Sequence, residues 1–291
     1  MTEPLFRGTC TALVTPFQKG KVNYEMLKQL LLRQILAGIE AVVLFGTTGE
    51  SATLSDDEKI EIIRQAKDCT CGKCLILAGT GSNCTAHAVA LGKAAEEAGA
   101  DALLVVSPYY NKATPEGLID HYTAIAQSVH IPVIVYNVPS RTGLDVPVEV
   151  YEALSHVANI AGVKEASTDV KKIGQILLRC PETFYVWSGN ADLTVPIMAL
   201  VGVGVISVGA NVWPQKYAAM TDAAQAGNYI RAAAIQKSLI PLTDLLFREV
   251  SPIPVKAAMG HLGLDCGLCR PPLSPVSAEL DKALETLLNG T

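Results

Sequence analysis

Short runs of β-branched and aliphatic residues recur along the chain, each followed by a longer stretch in which apolar residues return every three or four positions. The runs are Thr9–Val14, Ala41–Phe45, Cys74–Ala78, Ala102–Ser107, Pro132–Asn137, Ile160–Lys164, Tyr185–Ser188 and Gly204–Val208. They are apolar nearly throughout instead of alternating, the pattern of parallel strands covered on both faces. Successive starts lie 19 to 33 residues apart, which in most repeats leaves room for one strand, one helix and two loops. The helical stretches carry end signals. Asn23 precedes Tyr24, Leu27, Leu30 and Leu31, and Gly38 follows them. Ser55 and Glu58 have capping-box spacing ahead of Ile60, Ile62 and Ile63. Thr114-Pro115 and Asp169 open two further helices. Eight such units predict an α/β fold, a TIM (β/α)8 barrel over residues 1–224, with a small C-terminal helical region over 225–291. An open doubly wound sheet is the rival. It would carry a dinucleotide-binding fingerprint, and Gly79-Thr80-Gly81-Ser82 lacks that spacing.

Composition narrows the partners. The 291 residues are 49% hydrophobic and 18% charged, enough apolar material for a sizeable core. A net charge of −5 makes nucleic acid an unsuitable partner. The N-terminus shows no basic-then-apolar leader, and a cytoplasmic protein is expected. The uncharged stretch 193–215 is long enough for a membrane span, but Pro196, Gly202, Gly204, Gly209 and Asn211 interrupt it. A short helix, a turn and a buried strand are expected there. Eight cysteines include two Cys-x-x-Cys segments, Cys71 to Cys74 and Cys266 to Cys269, almost 200 residues apart. Compact zinc ribbons separate such pairs by about 15–20 residues, so no metal site is expected.

In a TIM barrel the chemistry gathers at the C-terminal ends of the strands. Those ends carry Gly46-Thr47-Thr48-Gly49-Glu50, Pro108-Tyr109-Tyr110-Asn111, Tyr136-Asn137 followed by Pro139-Ser140-Arg141, then Lys164, Ser188-Gly189-Asn190, and a last strand running through Ile206. Lys164 is the informative residue. A protonated lysine cannot attack a carbonyl, and a partly dry barrel mouth favours the neutral amine that can. Its functional reading is a Schiff-base lysine; the bland alternative is a structural ion pair. Glu165 is a poor partner for that pair, because adjacent strand residues face opposite ways. The hydroxyls of Tyr136, Tyr110, Thr47 and Thr48 could move protons at a carbinolamine without adding charge. The fork of Arg141, on a loop stiffened by Pro139, suits a substrate carboxylate.

Together, GTTGES (46–51), PYYN (108–111), YNVPSRTG (136–143), GVKEAS (162–167) and SGNAD (188–192) resemble the dihydrodipicolinate synthase family, from Gly8 to at least Val212. The resemblance implies a pyruvate-dependent class I aldolase-type barrel. Such an enzyme condenses pyruvate with L-aspartate 4-semialdehyde on the diaminopimelate route to lysine, with no cofactor. By resemblance, Lys164 forms the pyruvate imine, and Tyr136 exchanges protons beside it. Thr48 links Tyr136 to a Tyr110 supplied by a neighbouring subunit. Thr47 holds the pyruvate carboxylate, Arg141 receives that of the semialdehyde, and Gly189 and Ile206 contribute backbone and wall. The shared tyrosine implies a homodimer at least, with a homotetramer expected. N-acetylneuraminate or keto-deoxy-sugar-acid lyases share the barrel and lysine but resemble the chain less at the arginine loop. A catalytically silent ligand-sensing barrel is the alternative from another class. Ser51, Ala52, Asn83 and Tyr109 match positions that bind inhibitory lysine in regulated members. Lys59 and His87 stand where His and Glu are frequent, and weak or absent lysine feedback is expected.

Overall fold

In the computed structural model, which describes residues 3–290, every one of the eight apolar runs is a strand. They are β1 (Gly8–Ala12), β2 (Ala41–Leu44), β3 (Leu75–Gly79), β4 (Ala102–Val106), β5 (Val133–Asn137), β6 (Ile160–Glu165), β7 (Tyr185–Ser188) and β8 (Gly204–Ser207). All pair in parallel with their sequence neighbours, and β1 pairs with both β2 and β8, closing the barrel. Continuous hydrophobicity in the strands has a simple cause: both faces are covered. Cys10, Val43, Leu77, Leu104, Ile134, Trp187 and Ile206 fill the barrel interior. Val42, Ile76, Leu103, Val105, Val135, Val163 and Val186 pack outward against the helices.

Those helices are α1 (Tyr24–Leu36), α2 (Asp56–Thr70), α3 (Thr85–Glu97), α4 (Pro115–Gln127), α5 (Val148–Leu154), α6 (Val170–Arg179), α7 (Thr194–Ala199) and α8 (Pro214–Gln225). The expected caps are in place. Asn23 accepts from the Met26 N–H, Ser55 and Glu58 form a reciprocal capping box, Thr114 accepts from Gly117, and Asp169 from Lys171 and Lys172. The stretch 193–215 is divided among α7, β8, a short 3-10 turn and the start of α8. Among the described residues no helix is long and apolar enough to cross a membrane.

Three more helices follow, α9 (Tyr229–Leu246), α10 (Ile253–His261) and α11 (Ala278–Asn289). Leu239 and Ala232 of α9 pack on Tyr217, Met220 and Ala224 of α8, while Leu242, Leu245, Leu280 and Leu284 join the barrel's outer apolar layer. The link between α9 and α10 reaches the mouth of the barrel, where Phe247, Glu249, Val250 and Ser251 form part of its wall.

One irregularity positions the chemistry. Between β5 and β6 the register runs Val133↔Ile160 and then Ile134↔Gly162, so β6 carries one extra residue. Gly162 has φ +150°, and a Cβ there would lie 1.9 Å from the Tyr185 carbonyl oxygen, so only glycine fits. Beyond the bulge Tyr136 pairs with Lys164, and Asn137 with Glu165. Without it, regular pairing would set Lys164 opposite Asn137.

Candidate active site

Lys164 stands at the end of β6, 6% exposed, with its Nζ 4.1 Å from the centroid of the Tyr136 ring. Among the described residues it has no ion pair. Glu165 faces outward instead, fully buried, and its Oε2 lies 3.6 Å from Lys172 Nζ. The expected opposition of these adjacent side chains is therefore what the strand delivers. An amine packed against an aromatic face, with no carboxylate beside it, is free to react with a carbonyl that enters the mouth.

A cavity of about 350 Å³ opens above this pair. Its wall includes Thr47, Thr48, Tyr136, Arg141, Lys164 and Gly189, six of the residues singled out from the sequence. Thr47 and Thr48 arrive on a tight turn after β2, in which the Gly49 and Glu50 N–H groups donate to the Gly46 and Thr47 carbonyls, both at 3.1 Å. The Thr15 hydroxyl donates to the Gly49 carbonyl at 2.7 Å and pins that turn to the strand-β1 side. Arg141 stands on a single helical turn, Pro139–Thr142, whose proline occupies the first position. Its exposed guanidinium donates to the Ser251 carbonyl at 3.3 Å, which aims the fork across the mouth. Gly189 approaches β6 closely: its N–H donates to the Glu165 carbonyl at 2.7 Å, and a Cβ would come within 2.5 Å of Ala166 Cβ.

Two expected residues lie elsewhere. Tyr110 is 91% exposed on the rim and does not line the cavity. Ile206 is buried in the barrel interior and does not line it either. No hydrogen bond among the described residues joins Thr48 to Tyr136 or to Tyr110. The wall also contains residues the strand-end survey did not reach, Phe247, Glu249, Val250 and Ser251, because they arrive from the link before α10. Only the expectation of a helical tail hinted at them.

A second cavity, about 660 Å³, adjoins the first and shares Gly46, Thr47, Tyr136, Arg141 and Ser251 with it. Its far lobe holds Ser51, Asp56, Lys59, His87 and Tyr109. Asp56 is already engaged, by Lys59 Nζ at 3.2 Å and His87 Nε2 at 2.8 Å. Burial pushes its carboxyl up, but the hydrogen bonds from His87 and Lys59 outweigh that and hold it below the usual carboxylate range. The other acid on this wall, Glu50, is buried 2.5 Å from Lys256 Nζ.

The cysteines take no part in either cavity. All eight are free thiols, and burial pushes Cys74, Cys266 and Cys269 up to about 12, which disfavours their thiolates. Among the described residues no group of three or more His, Cys, Asp or Glu is arranged to hold a metal ion.

Residues 5–291 match the sequence profile of the Dihydrodipicolinate synthetase family. A 4-hydroxy-tetrahydrodipicolinate synthase of Acetivibrio thermocellus is 44% identical over 288 residues, covering 99% of this chain and 98% of that protein. The crystal structure of dihydrodipicolinate synthase from Aquifex aeolicus superposes with a TM-score of 0.96 at 42% identity, covering 98% of each chain. The chloride-inhibited dihydrodipicolinate synthase from Acinetobacter baumannii, complexed with pyruvate, does so with a TM-score of 0.95 at 37% identity, covering 97% of this chain and 98% of that one.

Proposed function

The chain belongs to the dihydrodipicolinate synthetase family, and on that premise we propose that it condenses pyruvate with L-aspartate 4-semialdehyde, as a 4-hydroxy-tetrahydrodipicolinate synthase does, through an imine on Lys164. The observation that carries this reading is the Lys164–Tyr136 pair: a buried amine without a carboxylate partner, against a tyrosine, at the floor of a cavity of about 350 Å³.

The steps follow from the groups present. The Lys164 amine adds through its nitrogen lone pair to the ketone carbon of pyruvate, and the carbinolamine oxygen leaves as water to give the imine. Loss of a methyl proton then gives an enamine, whose carbon attacks the aldehyde of the semialdehyde. The amino group of that second substrate adds to the former ketone carbon and displaces Lys164 as the ring closes. Each step moves a proton, and Tyr136, whose ring lies against the Lys164 amine, carries the hydroxyl that gives and takes it. Thr47 and Thr48, with their own backbone N–H groups, hold the pyruvate carboxylate. Arg141 offers two donors to the carboxylate of the second substrate. Gly189 leaves backbone room for the reacting carbon, and Ile206 supports the floor from within the barrel.

The functional unit is a homodimer in which Tyr110 serves the neighbouring subunit's relay, assembled further into a homotetramer, and the protein works in the cytoplasm. A large tyrosine 91% exposed on the rim supports the shared role.

Free lysine inhibits weakly or not at all. Both acids on the far cavity wall are already paired, Asp56 with Lys59 and His87 and Glu50 with Lys256, so a ligand ammonium finds cations and no free carboxylate. Initial rates are expected to hold through submillimolar lysine; a clear loss of rate there would contradict this.

The test of the reaction is borohydride reduction in the presence of pyruvate, followed by peptide mapping. A pyruvate-derived mass on Lys164, absent in Lys164→Ala, is the expected result. Folded protein that acquires no adduct would refute the Schiff-base reading.

A further inference from the structure

Behind the two catalytic strand ends lies a buried polar cluster that the reaction itself does not use. Glu165, fully buried on the outer face of β6, receives four contacts. Its Oε1 accepts from Asn137 Nδ2 and from the Ser167 N–H, both at 2.8 Å. Its Oε2 accepts from the Tyr151 hydroxyl at 3.0 Å and lies 3.6 Å from Lys172 Nζ. Asn137 is equally committed. Its Nδ2 donates to Asp145 Oδ1 as well, at 2.7 Å, and its Oδ1 accepts from the Val146 N–H at 3.1 Å. Lys172 closes the cluster with an ion pair to Asp145. A burial this complete has a large desolvation cost, which the three hydrogen bonds to Glu165 and the nearby Lys172 cation offset.

We propose that Asn137 and Glu165 are positioning residues for the condensation, holding Lys164, Tyr136 and Arg141 in one geometry from behind the barrel wall. The inference rests on the assignment of those three groups to the reaction. Asn137 follows Tyr136 and Glu165 follows Lys164, and the two pairs are cross-strand partners in the same register. Because successive strand residues face opposite ways, a bond between the outward pair fixes the inward pair. This matters at the bulge, where the β5–β6 register shifts by one residue at Gly162. A slip would bring Lys164 opposite Asn137. Asn137 also returns to the segment after Arg141: its contacts to Asp145 and Val146 pin the far end of the loop that begins at Val138. The Ser167 contact fixes the chain just past Ala166, which lines the cavity beside Lys164. One cluster therefore sets both the imine site and the arm that receives the second substrate.

Three variants of the full-length protein test this: Glu165→Gln, Asn137→Ala and Tyr151→Phe. Every polar contact to Glu165 arrives as a donor, so a glutamine must turn its own N–H groups toward another donor while keeping shape and volume. Rates are measured per site titratable by pyruvate and borohydride, which removes any contribution from unfolded protein. Glu165→Gln is expected to slow imine formation about tenfold or more. Asn137→Ala is expected also to raise KM for L-aspartate 4-semialdehyde more than KM for pyruvate, because Arg141's loop loses its anchor. Tyr151→Phe removes one hydroxyl far from the substrates and should give a several-fold slowing of the same step. A merely structural role predicts lower Tm and fewer titratable sites with wild-type rates per site, and that result overturns the proposal. If Glu165→Gln does not fold, Tyr151→Phe decides, and a wild-type imine rate in it is the overturning outcome. Absence of any adduct in the wild type would instead strike the Schiff-base assignment, so the two failures are distinguishable.

Discussion

The proton-carrying role proposed for Tyr136 rests on one close contact: its ring covers the Lys164 amine at 4.1 Å while its side chain lines the cavity. The ring supplies packing and a cation–π surface; only the hydroxyl can carry protons. Tyr136→Phe keeps the first and deletes the second. Turnover is expected to fall about 10²-fold or more, the usual contribution of a positioned acid–base group. Borohydride should still trap pyruvate on Lys164, more slowly. Steady-state kinetics beside trapping separates these effects, and unchanged turnover would remove Tyr136 from the proton path. At this scale much was legible in the sequence. A lysine ending an apolar run is conspicuous, and side-chain alternation alone turned Glu165 away from it. The destination of Glu165 was not legible: Tyr151 and Lys172 reach it from two separate helices, Asp145 joins through Lys172 and Asn137, and no local pattern announces such a meeting.

Between elements, buried charge and buried imidazole make two measurable junctions. Glu50 ends the turn carrying Thr47 and Thr48, with φ +56°, and its carboxylate is held by Lys256 of α10 and by the Arg270 N–H at 2.8 Å. The 2.5 Å Lys256 contact is off-axis for a hydrogen bond, so charge attraction carries it. Lys256→Met leaves a buried carboxylate without its cation, expected to cost about 3–5 kcal/mol. Chemical denaturation should show that loss, partly restored in Lys256→Met/Glu50→Gln; a neutral single variant would contradict it. The second junction joins α3 to α4, where His121 Nδ1 meets the Thr85 hydroxyl at 2.9 Å. Burial lowers the His121 pKa to about 4 from an ordinary value near 6.5. The folded protein therefore binds fewer protons here than the unfolded chain between those values. Stability from this group is complete above about pH 6.5 and is lost as pH falls toward 4, by up to about 3 kcal/mol. His121→Gln should flatten that part of the stability-against-pH curve; a curve identical to the wild type would show that other groups dominate. Helix caps were readable because they are local in sequence. These junctions were not, since one joins two repeats and the other joins a repeat to the C-terminal helices.

For the whole molecule, continuous apolar strands indicated a parallel sheet covered on both faces, and the count of eight units without a dinucleotide fingerprint indicated the closed barrel over an open sheet. The wall contributed by Phe247 to Ser251 was invisible to that reasoning, since nothing periodic marks a link that folds back over the mouth. Tyr110 poses the remaining question of scale. It combines 91% exposure with φ +69°, and Asn111 beside it donates to the Asn83 carbonyl at 2.9 Å. A non-glycine residue in the left-handed region carries a strain that persists only where its surroundings hold it, and here that strain presents an aromatic ring to solvent. In the proposed homodimer a second subunit receives it. The arrangement can be tested by mixing two inactive variants, Lys164→Ala and Tyr110→Phe, after dissociation and reassembly. If Tyr110 serves the partner, a hybrid dimer has one site with an intact lysine from one chain and an intact tyrosine from the other. Activity should then reappear in the mixture, reaching about half the wild-type value per hybrid dimer. If each tyrosine serves its own chain, every site keeps one defect, and the mixture stays at the average of its parents.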